Sequence, residues 1–121
     1  IYIESNTGIQ VGKRKLEQGG VITLANNVPT ALITGISFTT SQKTQRIHYL
    51  ATRGSNTRSG VLELTATSSG ITVSDNFTEA GSDIGLTLSG SVSGSTVDVK
   101  YTSTNTGSEI TFAYSVDRII A

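Results

Sequence analysis

Apolar and polar residues alternate with a period of two through the last quarter of the chain. Val97, Val99 and Tyr101 share one face of a predicted strand, and Phe112 and Tyr114 share one face of the next. Ser, Thr, Asn and Gly fill the segment between the two strands. β-Branched and aromatic residues in this pattern are typical of a half-buried antiparallel hairpin. The sequence therefore predicts that two paired strands close this region.

Six further segments with strand patterns precede this hairpin. They are residues 21–25, 30–38, 44–52, 61–67, 70–74 and 84–89. Residues 53–60 are predicted to form a polar loop and residues 75–83 an acidic connecting loop, and no helical period of 3.6 persists. Short, evenly spaced strands separated by turn residues predict an all-β protein, an antiparallel β-sandwich of about eight strands with jelly-roll-like or Ig-like layering.

The first 20 residues differ from the remainder of the chain. Residues 13–15 are the one basic run, which favours a solvated turn or strand edge. Residues 18–20 (QGG) predict a hinge, so we assign residues 1–20 to a linker or collar leading from an upstream region and residues 21–121 to the sandwich domain. The apolar side chains among residues 1–11 would need a neighbouring chain to bury them.

Composition agrees with a β scaffold and excludes several classes of function. The 121 residues fit one domain, with 19 Thr, 16 Ser and 13 Gly but a single Pro. Nine basic residues balance nine acidic ones, which argues against binding to nucleic acid because phosphate recognition needs clustered cations. No apolar run approaches the roughly 18 residues of a membrane-spanning helix. The absence of Cys excludes disulfides, thiolate nucleophiles and Cys-based metal sites.

Candidate catalytic chemistry is sparse. His48 is the one histidine, and any Ser-His-Asp triad would have to use it. It lies mid-strand in a chain without a Gly-x-Ser-x-Gly motif, so we expect a partly buried, hydrogen-bonded side chain that is not catalytic. Asp75, Glu79 and Asp83 could supply oxygen ligands, but the spacing of an EF-hand loop is absent. We therefore expect no enzyme activity, no metal site and no cofactor.

Two polar segments are the best candidates for ligand binding. The first contributes Arg53, Asn56 and Arg58, and the second contributes Asn105 beside Tyr101. Guanidinium and amide groups near an aromatic ring suit a glycan, since sugars present both hydroxyl groups and C–H faces. The alternative is that both segments are solvated hairpin loops without a ligand.

Several of these segments resemble one known family. Residues 21–27 (VITLANN), 33–38 (ITGISF) and 46–53 (RIHYLATR) resemble a module of the tail fibres of tailed bacteriophages and phage-derived devices. The closing segments 99–107 (VKYTSTNTG) and 112–119 (FAYSVDRI) are similar to the closing hairpin of that module. The resemblance extends over roughly residues 20–120, and its motifs are those of structural strands.

The resemblance implies a β-sandwich at the distal end of a homotrimeric fibre, located on a virion or another extracellular fibre. Its implied partners are two further copies of the chain, upstream fibre domains and a bacterial surface glycan or protein receptor. The corresponding function is non-enzymatic adhesion, with avidity supplied by three copies. The alternative is a purely structural decoration or spacer domain. A fibre-borne depolymerase is disfavoured, because few carboxylates beyond Glu63 and Asp98 fall at predicted strand positions.

Overall fold

Ten strands and one short 3-10 turn make up the regular structure of the described residues. The computed structural model describes the backbone of residues 2–4 and 8–119 and the side chains of residues 10–17 and 19–119. The strands are β1 (Tyr2–Glu4), β2 (Gly8–Val11), β3 (Arg14–Leu24), β4 (Val28–Thr39), β5 (Thr44–Arg53), β6 (Asn56–Thr67), β7 (Gly70–Ala80), β8 (Leu86–Ser93), β9 (Thr96–Ser103) and β10 (Ile110–Ile119). The 3-10 turn is Thr40–Gln42.

The strands form two antiparallel sheets. The larger sheet has the order β1-β2-β3-β10-β5-β6-β7, and the smaller sheet has the order β4-β9-β8. One hydrophobic core contains residues from both sheets, as expected for a sandwich. The prediction of an all-β, antiparallel β-sandwich is therefore confirmed, with ten strands in place of about eight, because β1 and β2 lie within the first 20 residues.

The alternation read from the sequence generates the core. Ile47, Tyr49 and Ala51 of β5 and Val97 and Val99 of β9 are buried, while the residues between them point outward or lie half-buried. The ring of Phe112 on β10 stacks on that of Tyr49 with centroids 5.2 Å apart. Aromatic pairs of this geometry contribute about 0.5–1.5 kcal/mol beyond the area they bury.

The two predicted loops are wrong. β5 continues to Arg53 and β6 starts at Asn56, so residues 53–60 form a tight hairpin around Gly54 and Ser55. β7 continues to Ala80, so most of residues 75–83 is strand paired with β6. Polar side chains at strand positions misled the sequence pattern in both places, because the backbone pairing does not depend on them.

The hinge predicted at residues 18–20 is also wrong, because these residues lie inside β3. Strand β10 pairs with β3 on both sides of this point, and two residues of β3, at positions 18 and 19, face Ser115 alone in a β-bulge. A Cβ on Gly19 would lie 1.5 Å from the carbonyl oxygen of Tyr114, so only glycine fits there. The strand therefore crosses the boundary that we placed at residue 20.

The N-terminal apolar side chains fall partly outside this description. Val11 is 55% exposed, whereas the side chains of residues 1–9 lie outside the described residues.

Among the helical residues that the structure describes, none forms a segment long and apolar enough to cross a membrane.

Candidate functional site

Arg53 is a buried structural residue. Its side chain was expected on a polar loop, but Arg53 is 3% exposed and occupies the last inward position of β5. Its guanidinium group donates four hydrogen bonds of 2.6–2.9 Å to oxygens of three different segments. The acceptors are the carbonyls of Ile84, Thr104 and Ser108 and the side-chain oxygen of Asn26. We call this arrangement the Arg53 clasp.

Tyr101 and Asn105 lie near the Arg53 clasp. The hydroxyl of Tyr101 accepts a hydrogen bond of 3.1 Å from the amide of Ala25. Tyr101 is 6% exposed, so the expectation that its ring offers a platform for sugars is wrong. Asn105 is exposed, and its side-chain oxygen accepts a hydrogen bond of 3.0 Å from Asn26. Three of the predicted ligand-binding residues thus meet around the turn at Asn26, where their described contacts are internal.

Asn56 fixes the connection between β7 and β8. Its side-chain oxygen accepts a hydrogen bond of 2.8 Å from the amide of Ser82, and its side chain is half-buried. Arg58, the fifth predicted residue, is 3% exposed and lies apart from the Arg53 clasp. The expected exposure of both guanidinium groups is therefore wrong, because each lies at an inward position of its strand.

Arg58 is the centre of a groove where the edges of the two sheets meet. Its Nε donates to Glu79 on β7 at 3.0 Å, and its Nη1 donates to the carbonyl of Leu86 on β8 at 2.7 Å. Its Nη2 also lies 3.6 Å from Asp83. One guanidinium group therefore links β7 to β8 beside the space between these two edge strands. We call this space the β7–β8 groove.

Phe77 provides the apolar surface of the β7–β8 groove. The Cζ atom of Arg58 lies 3.9 Å from the centroid of the Phe77 ring, a cation–π contact. Phe77 nevertheless remains 44% exposed, unlike the aromatic residues buried in the core. The groove therefore presents an aromatic ring that its own arginine holds in place.

Asp75 lies one inward position before Phe77 on β7. It accepts a hydrogen bond of 2.8 Å from the hydroxyl of Tyr49. Burial raises the pKa of Asp75 above its ordinary value, although the bond from Tyr49 and the charge of Arg58 lower it. Burial, together with the bond to Asp75, also raises the pKa of Tyr49. Both groups therefore hold protons more tightly than they would in solvent.

Polar residues from the β7–β8 connection and from beyond β9 complete the groove. Asp83 has a side chain that is 78% exposed and accepts a hydrogen bond from the amide of Gly85. Gly85 has a φ of +68°, and a Cβ there would lie 2.0 Å from the Thr104 hydroxyl. A side chain at position 85 would therefore displace Thr104 from the groove. The resulting cavity has a volume of about 450 Å³ and is also lined by Thr87 and Leu88.

Two other expectations concern His48 and metals. His48 is exposed on the outward face of the larger sheet, so the expectation that it is partly buried is wrong. Within residues 2–4 and 8–119, no group of three His, Cys, Asp or Glu side chains is arranged to hold a metal ion. Glu79 and Asp83 instead both face Nη2 of Arg58, at 3.0 and 3.6 Å.

Comparison with known proteins adds no assignment. No protein-family model matches the chain, and no curated protein or solved structure matches it significantly.

The sequence analysis missed Phe77 and placed Asp75 on a loop, although both lie in β7. The alternation of Ile71 and Val73 continues through positions 75, 77 and 79, which would have placed both residues on the inward face of one strand. Asp75 and Glu79 hid this signal, because carboxylates at inward positions resemble the composition of a loop.

Proposed function

We propose that this chain is a non-enzymatic adhesion module that binds a bacterial surface glycan through the β7–β8 groove. The observation that carries the proposal is the exposed ring of Phe77 beside Arg58, Asp75 and Asp83 in one cavity. The volume of about 450 Å³ falls within the range of about 300–1,000 Å³ typical of small-molecule sites. An open groove of this size suits one or two sugar rings of a longer polysaccharide.

The chemistry of the groove matches the two kinds of surface that a sugar presents. A ring such as Phe77 packs against the C–H face of a pyranose and buries apolar area. The carboxylate of Asp83 can accept hydrogen bonds from sugar hydroxyls, and the hydroxyl of Thr87 can donate or accept them. Arg58 contributes by its cation–π contact with the Phe77 ring. Its own N–H groups already donate to Glu79 and to the carbonyl of Leu86.

The test uses a glycan array of bacterial surface oligosaccharides probed with the full chain, followed by titration of the best binder. Phe77→Leu keeps an apolar side chain under Arg58 but removes the flat ring, and we expect it to weaken binding roughly three- to tenfold. Asp83→Asn removes one exposed charge without changing shape and should also weaken binding. Leu32→Ala is the matched control, because Leu32 is 53% exposed on β4, which lies at the edge of the smaller sheet opposite β8.

Unchanged affinity in Phe77→Leu, with the same fold by circular dichroism, would remove the groove from the binding site. If no member of the array binds the wild-type chain, the structural alternative, a decoration or spacer domain without a ligand, is favoured instead. Hydrolysis of the bound polysaccharide would contradict the non-enzymatic part of the proposal.

We further propose that the module works as a homotrimer within a virion or extracellular fibre. The support is the resemblance of its strand motifs, together with apolar side chains on the outward face of the larger sheet. Val21 is 70% exposed, and it lies in register with Ala113, which in turn pairs with Leu50. Light scattering coupled to size exclusion tests this: we expect a mass three times the 12.7 kDa of one chain. A monomer at micromolar concentration would contradict it.

A further inference from the structure

The charges around the β7–β8 groove restrict the kind of sugar that it can bind. Three charged side chains line the groove: Arg58, Asp75 and Asp83. Glu79 adjoins them, because Nη2 of Arg58 lies 3.0 Å from a Glu79 oxygen and 3.6 Å from Asp83. One cation therefore faces three carboxylates, and even without Asp75 two carboxylates share a single guanidinium group. The groove thus carries an excess of negative charge.

The one positive charge of the groove is inaccessible to a ligand. The side chain of Arg58 is only 4% exposed, and its N–H groups already face Glu79 and the carbonyl of Leu86. The other side-chain donors that line the groove are the uncharged hydroxyls of Thr87 and Thr104. A carboxylate or sulfate on a sugar would therefore meet negative charge without an accessible cation to compensate for it.

Asp83 supplies the accessible charge of the groove, because its side chain is 78% exposed. The amide of Gly85, at 2.7 Å, and Nη2 of Arg58, at 3.6 Å, both approach its Oδ1 atom. Among the described residues no donor is hydrogen-bonded to Oδ2, so this oxygen is free to accept a hydrogen bond from a ligand. Asp83 and the exposed ring of Phe77 line the same cavity, so one sugar can contact both.

We propose that the β7–β8 groove selects glycans that carry a free, protonated amino group and disfavours acidic sugars. The inference rests on the proposed function, because it names the class of sugar that the same groove binds. The ammonium group donates a charge-assisted hydrogen bond to Oδ2 of Asp83, while the C–H face of the sugar ring packs on Phe77. A hydroxyl or an N-acetyl group at the same position donates only a neutral hydrogen bond, which is roughly half as strong.

The experiment follows backbone amide shifts of the full chain by NMR during titration with four matched disaccharides, at constant ionic strength. Diglucosamine, cellobiose, diacetylchitobiose and cellobiouronic acid share β-1,4-linked glucose-type rings but carry amino, hydroxyl, acetamide or carboxylate substituents. The pH is about 6, where amines are protonated and carboxylic acids of ordinary pKa are ionised. We expect saturable shifts at Phe77, Thr87 and Leu88. Diglucosamine should bind roughly five- to tenfold more tightly than cellobiose, and cellobiouronic acid should bind most weakly.

Two variants assign the preference to one carboxylate. Asp83→Asn removes the charge but keeps an oxygen for the Gly85 amide, so the advantage of diglucosamine over cellobiose should disappear. Glu63→Gln removes the same charge from an outward position of β6 outside the groove, and it should keep the wild-type advantage. Equal Kd values for diglucosamine and cellobiose, tightest binding of cellobiouronic acid, or an unchanged advantage in Asp83→Asn would overturn the inference but leave sugar binding by the groove intact. If none of the four disaccharides gives saturable shifts at the groove, the inference fails and the proposed function is contradicted with it.

Discussion

Replacing Arg53 by alanine tests whether its guanidinium group stabilises the fold or binds a ligand. The substitution removes four hydrogen bonds and leaves four acceptors at one end of the sandwich without their donor. Hydrogen bonds to a charged group contribute about 1.5–3 kcal/mol each, but they are not additive. Removing the buried cation also relieves its desolvation, which offsets part of the loss. We therefore expect the free energy of unfolding to fall by about 3 kcal/mol.

Arg46→Ala is the matched control, because Arg46 lies on the same strand and makes an exposed pair with Glu63. Exposed pairs contribute about 0–1 kcal/mol, so this variant should stay within that range. Urea unfolding followed by far-UV circular dichroism suits a chain without tryptophan. If Arg53→Ala loses less than 1 kcal/mol and also loses ligand binding, the structural role of the Arg53 clasp is refuted.

Two further predictions concern the bulge and the buried carboxyl group. Gly19→Ala should lower the free energy of unfolding by about 3 kcal/mol. Gly20→Ala should be neutral or stabilising, because its Cβ would lie 3.5 Å from the nearest atom. Equal free energies of unfolding for the two variants, measured in urea, would contradict the bulge geometry. Because the folded state raises the pKa of Asp75, ionising it disfavours folding, so wild-type stability should fall relative to Asp75→Asn as pH rises above about 3.8. Parallel stability curves from pH 3 to 7 would contradict that assignment.

The fold could be predicted because its strands alternate strictly where they cross the core. The same alternation also predicts that Arg53 is buried. Continuing the inward series Ile47, Tyr49 and Ala51 leads directly to Arg53, which the structure places inside. We placed it on a loop because arginine is rarely fully buried unless it is paired. Its acceptors come from distant segments, and one sequence does not reveal which segments meet.

The candidate site could not be predicted for a related reason. The β7–β8 groove lies between the edges of two different sheets. Its position follows from strand order and register, whereas alternation reports only which face of a strand is buried. Phe77 is the clearest example. The alternation predicts its inward position, but it does not predict that β8 lies on the other side of the groove.

The position of β10 in the larger sheet has a consequence for how the protein acquires its structure during synthesis. Strand β10 lies between β3 and β5, so it joins an N-terminal group of strands to the β5–β6–β7 meander. A ribosome delivers both of these groups before it delivers β10. Until then the inward faces of both groups lack the Phe112 layer, and two strand edges stay open to incorrect pairing. The seven-stranded sheet therefore forms only after translation of its last strand, and any cotranslational partner would meet two unjoined halves.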